Sequence, residues 1–202
     1  MRRRIPALFG LGCAVVAIVL VVAARLSGDR DPGPEQPIPF SHALHAGTYE
    51  IACLYCHRQA DRSTVAGIPS VRTCLDCHRG LEGPASEQPQ LIAAWKSQET
   101  IAWRKVYDLP DHVYFSHKRH VRVGVTCQTC HGPVQEMERV RRAGRLNMGW
   151  CVACHRESQV RMTSDGVARA VLPGPNPHGE IQFTDMEGAG RRPSIDCATC
   201  HK

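Results

Sequence analysis

Residues 40–78 read FSHALHAGTYEIACLYCHRQADRSTVAGIPSVRTCLDCH and contain two elements that recur along the chain. The first is Phe-Ser-His-x-x-His at 40–45, and the second is Cys-x-x-Cys-His at 53–57 and 74–78. The same order returns as FSHKRH at 115–120, CQTCH at 127–131 and CVACH at 151–155, with offsets of 75, 74 and 77 residues. This agreement predicts a duplicated module with two Cys-x-x-Cys-His motifs in each copy.

A fifth motif, CATCH, stands alone at 197–201. Cys-x-x-Cys-His is the attachment signal of c-type haem. The two thiols bond to vinyl groups on one porphyrin edge, and the adjacent histidine binds the iron. We therefore predict five covalently bound c-type haems. Their thioether ligands are Cys53, Cys56, Cys74, Cys77, Cys127, Cys130, Cys151, Cys154, Cys197 and Cys200, and their proximal iron ligands are His57, His78, His131, His155 and His201.

Two other uses of so many cysteines fit part of this pattern. The first two Cys-x-x-Cys pairs have the spacing of a zinc ribbon, and ten cysteines would suffice for five disulfides in an exported protein. Neither explains why a histidine follows each pair. Haem also accounts for the composition, since only 5% of residues are aromatic while the chain has 17 Gly and 14 Pro. Five apolar macrocycles would fill an interior for which the side chains supply little material.

Distal ligands decide whether an iron carries electrons or binds substrate. Two histidines at positions i and i+3 lie together on a helical turn, so each Phe-Ser-His-x-x-His element can present imidazoles to two neighbouring irons. We predict these distal ligands to be His42, His45, His117 and His120.

The fifth distal ligand is open on sequence alone. Met148, in LNMGW directly ahead of Cys151, is the first choice, and its thioether would raise the potential of that haem. The alternatives are His178, His112 and Met162. No iron then has to keep an open position for substrate. We accordingly predict an electron-transfer subunit without catalytic residues.

The N-terminus predicts a membrane anchor. Residues 5–24 form an apolar run, which as a helix is about 30 Å long and matches a bilayer core. A cleaved signal peptide is the alternative, although its apolar region is usually about 7–15 residues. Arginines at 2–4 hold the N-terminus in the cytoplasm. The expected location is the inner membrane, single-pass, with the haem domain on the periplasmic side.

These features predict a mainly irregular fold of short α-helices around five covalently bound haems, with one N-terminal transmembrane helix. The expected organisation is a cytoplasmic tip and anchor at 1–27, a Pro-rich linker at 28–39 and a pentahaem domain at 40–202. Its two-haem modules span 40–87 and 115–158, and the fifth haem motif is at 197–201. We also predict a short helix at 90–98, a charged helix at 133–145, a long loop at 172–194, and little or no sheet.

The net charge of +6 does not require a nucleic-acid partner. The positive residues are scattered, and five haems would bring propionates that pair with arginine. The arginines expected in that role are Arg119, Arg122, Arg139, Arg141, Arg142 and Arg145. We predict no binding of nucleic acid.

Over residues 40–155 the chain resembles the class III multihaem cytochromes c, in which FxHxxH supplies distal ligands to bis-histidine haems. It also resembles the pentahaem subunit of alternative complex III, a quinol-oxidising membrane complex. This second resemblance lies in the single anchor, LPDHVYFSH at 109–117, NMGWCVACHR at 147–156 and the count of five motifs. It implies other subunits of a quinol-oxidising respiratory complex as partners, with electrons passing to a periplasmic monohaem cytochrome c or an oxidase.

Two other functions are alternatives to an electron-transfer subunit. A stand-alone membrane-anchored quinol dehydrogenase would use the anchor and the first haem as its quinol pocket. A multihaem reductase of a small oxyanion would need an iron with an open position, often with a lysine-based motif, whereas all five motifs here end in histidine.

Overall fold

We describe the chain from a computed structural model, over residues 16–19, 32–79, 88–162, 167–172 and 190–201. It divides into two compact units, Met1–Pro32 and Gly33–Lys202. Most of the predicted anchor lies outside the described residues, and residues 16–19 form a turn of helix. Among the described residues, no helix has both the length and the apolar character needed to cross a membrane.

Short helices and irregular segments make up most of the described part of the second unit, as predicted. A π-helix spans Ala43–Thr48 and a 3-10 helix spans Val134–Glu136. The α-helices are Cys53–Cys56, Val71–His78, Pro89–Ser97, His117–Arg122, Cys127–His131, Met148–Glu157 and Cys197–Cys200. Two short strands, β1 (Gln159–Met162) and β2 (Ala168–Val171), pair antiparallel in a two-stranded sheet.

Each Cys-x-x-Cys motif lies on one of these helices because its residues complete about one helical turn. The Met148–Glu157 helix has a side-chain cap: the Asn147 side-chain oxygen accepts a hydrogen bond from Trp150 N at 2.9 Å. The predicted helix at 90–98 is confirmed as Pro89–Ser97, with proline at its start, where a missing N–H costs nothing. The motifs are thereby held on short rigid turns.

The apolar core of the described residues is small, as the composition suggests. Ile38, Leu75 and Leu91 form its buried cluster, with partly buried Trp103 and Ile101 against it. This cluster joins the second motif helix to the Pro89–Ser97 helix. A core of this size leaves much of the interior for something other than side chains.

Two segments differ from the prediction. Part of the expected linker belongs to the domain, since the second unit begins at Gly33 and buries Ile38. The charged helix expected at 133–145 is wrong beyond its first turn, because that segment makes tertiary contacts instead of a helical ladder. Tyr107 Oη accepts from Ala143 N at 2.9 Å, and the backbone at Val140 lies against Gly33.

Candidate haem sites

Every histidine of a Cys-x-x-Cys-His motif faces a second histidine ring. The distances between ring centroids lie in a narrow range. They are 6.5 Å for His42–His57, 6.2 Å for His45–His78, 6.3 Å for His117–His131, 6.0 Å for His120–His155 and 5.5 Å for His112–His201.

These distances can be compared with what one iron between two imidazoles requires. A metal–imidazole bond is about 2 Å, and the ring centre lies about 1.2 Å beyond the nitrogen, so two imidazoles that bind one iron from opposite sides would have centroids about 6.4 Å apart. Four of the pairs lie within about 0.4 Å of this value, and the His112–His201 pair is about 0.9 Å shorter. Each pair would offer two ligands to one iron, and a macrocycle would supply the other four. The described residues contain no group of three or more metal-binding side chains of the kind a zinc ion needs.

All ten motif cysteines are free thiols, so the disulfide framework considered above is not formed. The Cys127 thiol interacts with Cys53 and lowers the pKa of Cys53 to about 6, against the opposing effect of burial. Burial raises the pKa of Cys130 to about 11, with smaller contributions from the Cys154 and Cys151 thiols.

Hydrogen bonds at the outer ring nitrogen orient several of these imidazoles. A carbonyl oxygen only accepts, so an Nδ1 atom beside one must carry the proton and leave Nε2 free for a metal. The bonds run from His45 to Ser41 O (2.8 Å), His57 to Gly67 O (2.7 Å), His117 to Thr64 O (2.9 Å), His120 to Ser116 O (2.9 Å) and His155 to Ser194 O (2.8 Å).

Burial favours the neutral, metal-binding form of three of these rings. It lowers the pKa of His42 to about 4, with the neighbouring His57 and His45 adding to the effect. Burial likewise lowers the pKa of His120 and of His131. Nδ1 of His42 is itself buried without a hydrogen-bond partner among the described residues.

In each module, one phenylalanine packs against both histidines of the Phe-Ser-His-x-x-His element. The Phe40 ring lies edge-on to His42 (4.8 Å, 87°) and stacked on His45 (4.4 Å, 29°). Phe115 repeats this against His117 (4.8 Å, 87°) and His120 (4.6 Å, 28°). The repeat of sequence is thus a repeat of geometry, and the phenylalanine fixes both ring planes.

The fifth pair joins two distant parts of the chain. Val113 and His201 form an isolated antiparallel bridge, and Tyr114 N donates to Cys200 O at 2.8 Å. These backbone bonds bring His112 to His201. The sequence signal for His112 was its place in LPDHVYFSH, just ahead of the second Phe-Ser-His-x-x-His element.

Met148, which the sequence favours as the fifth distal ligand, does not face a motif histidine as the other predicted distal ligands do. It begins the Met148–Glu157 helix and is 69% exposed. The structure does not place Met148 opposite a motif histidine, since His112 faces His201 and each of the other four has its own partner. Met162 is also exposed, and His178 lies outside the described residues.

Three of the arginines expected to pair with propionates bind backbone carbonyls. Arg122 donates to Asp61 O, Arg139 to Gly33 O, and Arg142 to Gly144 O and Arg145 O. They therefore hold loops around the motifs. Pairing with propionates stays a prediction.

Two comparisons with known proteins each match part of the chain. Residues 113–202 match the family described as cytochrome c7 and related cytochrome c. The chain is also 36% identical over 98 residues to the menaquinone reductase, multiheme cytochrome c subunit, of Nitratidesulfovibrio vulgaris (strain Hildenborough). The match covers 48% of this chain and 46% of that relative, so the chain spans about half the length of the relative. Neither comparison singles out the alternative complex III subunit. Together they show that residues 113–202 are similar to cytochrome c7 and related cytochromes, and that about half of the chain is similar to a multihaem cytochrome c subunit.

Proposed function

We propose that the chain is an electron-transfer subunit that relays electrons through five c-type haems, from a quinol-oxidising membrane complex toward a periplasmic cytochrome or a terminal oxidase. The observation that carries this proposal is the set of five facing imidazole pairs, each beside a Cys-x-x-Cys turn. A haem bound at such a site supplies a one-electron iron(III)/iron(II) couple. With two histidines of the chain bound to each iron, no iron would have a position open to substrate.

The ligand assignment follows from the pairs. We propose His42, His45, His117, His120 and His112 as the distal partners of His57, His78, His131, His155 and His201, in that order. We therefore propose His112 as the distal ligand of the fifth site, for which the sequence alone favours Met148.

The name of the relative supports a second direction of transfer. That protein is a subunit of a menaquinone reductase, and the same relay in this chain would then deliver electrons to a quinone. A role in alternative complex III, through the resemblance noted above, is the finer form of the first proposal. In both cases residues 5–24 anchor the chain in the inner membrane, and the haem domain faces the periplasm.

Haem content tests the proposal. A haemochrome assay together with the intact mass of matured protein should give five haems per chain, because all ten motif cysteines are then in thioether bonds. Four or fewer on fully matured protein would contradict the assignment.

Purification from native membranes separates the relay from its alternatives. Co-purification with quinone-reactive subunits supports the relay, and reduction or oxidation of the haems by added quinol or quinone in that complex gives the direction. Quinol oxidation by the isolated chain would instead establish the stand-alone dehydrogenase.

A conservative change at Met148 tests the ligand assignment. We expect Met148→Leu to leave all five low-spin signals and all midpoint potentials as in the parent, because the side chain is largely exposed and the swap costs less than about 1.5 kcal/mol. The matched variant His112→Leu should lose one low-spin signal. The opposite result, with the signal lost in Met148→Leu and retained in His112→Leu, would identify Met148 as the ligand instead of His112.

A further inference from the structure

The five sites have an order in space that differs from their order along the chain, and shared elements establish the neighbours within each module. His42 and His45 are three residues apart, so the first and second sites share the π-helix and its flanking residue. His117 and His120 lie on one α-helix, so the third and fourth sites adjoin in the same way.

The first and third sites adjoin across the boundary between the modules. Ala43 N, beside the distal ligand His42, donates to Met137 O at 3.0 Å in the segment that follows the third motif. In the other direction, the first module's Thr64 O accepts hydrogen bonds from both His117 N (3.1 Å) and His117 Nδ1 (2.9 Å). The carbonyl of Thr64 thus orients the distal ligand of the third site.

Further hydrogen bonds connect the same parts of the two modules. Lys118 N donates to Ser63 O at 3.0 Å, and Arg122 Nε donates to Asp61 O at 3.1 Å. The segment 61–64 of the first module and the helix of His117 in the second are therefore held together by several hydrogen bonds.

The fifth site adjoins the fourth. His155 Nδ1 of the fourth site donates to Ser194 O at 2.8 Å, three residues ahead of the fifth motif. The last motif is thereby placed beside the fourth site.

We infer that the five sites form a spatial series in the order second, first, third, fourth, fifth. Residues 61–64 and His117 connect the two modules within this series. The inference rests on the proposed haem ligation. In this order the second and fifth sites are the two ends, through which electrons enter and leave. The third site receives electrons from one module and passes them to the other.

Variants of the distal ligands in the full five-haem protein test this order. His117→Ala leaves the third haem attached but high-spin, and a high-spin iron speeds the spin relaxation of its neighbours. In an EPR-monitored redox titration we expect the first-site and fourth-site signals to change, with each signal identified by its loss in His42→Ala or His120→Ala. The matched variant His112→Ala should change the fourth-site signal and leave the first and second as in the parent.

The first-site signal in His117→Ala is decisive, because His42 and His117 share no helix and no phenylalanine. An unchanged first site, or a first or second site that responds to His112→Ala, overturns the order. If His117→Ala does not accumulate, His117→Met keeps the iron six-coordinate and gives the same test through shifts in midpoint potential. Five low-spin haems with the wrong neighbours would refute the order alone, whereas missing haems in the parent would refute the proposed function.

Discussion

Phe115→Ala is expected to disturb two haem sites at once and to leave the other three intact. The Phe115 ring lies edge-on to His117 and stacked on His120, with centroids 4.8 and 4.6 Å away. Removing it takes the support from two distal ligands together. We expect a loss of about 2–4 kcal/mol in the free energy of unfolding, at the lower end for a phenylalanine because the side chain is only half-buried. EPR should show the third-site and fourth-site low-spin signals broadened or partly converted to high-spin.

The duplicated module supplies the control. Phe40→Ala should give the mirror result, disturbing the sites of His42 and His45, because the Phe40 ring has nearly the same geometry. Phe115→Leu should keep most of the packing and lose mainly the aromatic contact, worth about 0.5–1.5 kcal/mol per ring pair. Equal disturbance of all five signals by Phe115→Ala would mean general unfolding and would contradict a local positioning role.

Local patterns in the sequence were sufficient to predict the motif positions and four of the five distal candidates. The chemistry of thioether attachment fixes a spacing of four residues plus a histidine, and this spacing is visible in any one motif. Two histidines three residues apart likewise present their rings on one turn without help from the rest of the chain. Hence the structure finds His42, His45, His117 and His120 each opposite a motif histidine.

The partner of His201 could not be predicted in this way because it depends on a contact between distant residues. Val113 and His201 pair through a bridge that closes a loop of most of the haem domain. Met148 had the advantage of lying three residues before Cys151, but nearness in sequence says little about which side of the helix faces an iron. The predicted helix at 133–145 failed for a related reason, since contacts with Tyr107 and Gly33 outweigh its local propensity.

Gly132→Ala is expected to distort the third site. Two independent effects oppose a side chain at this position, namely the backbone conformation and the lack of space for a β-carbon. Gly132 follows His131, the proposed proximal ligand, and has φ 70° and ψ −169°, a region that only glycine adopts readily. A β-carbon there would also lie 2.6 Å from Cβ of Ala143. The strained backbone and the overpacking together should lower the free energy of unfolding by about 2–6 kcal/mol.

The damage from Gly132→Ala should be centred on the third site, because the segment around Ala143 packs directly against the third motif. Gly144 shows the same closeness, since a β-carbon on it would lie 2.7 Å from Cys130 O. Gly149→Ala is the matched control. Its β-carbon would meet nothing nearer than Asn147 Oδ1 at 3.7 Å, and alanine in a helix should leave stability unchanged or raise it by at most about 1 kcal/mol. Chemical denaturation and the third-site low-spin signal, compared between the two variants, measure the effect. A Gly132→Ala protein as stable as Gly149→Ala, with its third-site signal intact, would show that the 131–144 segment does not pack against the motif in this way.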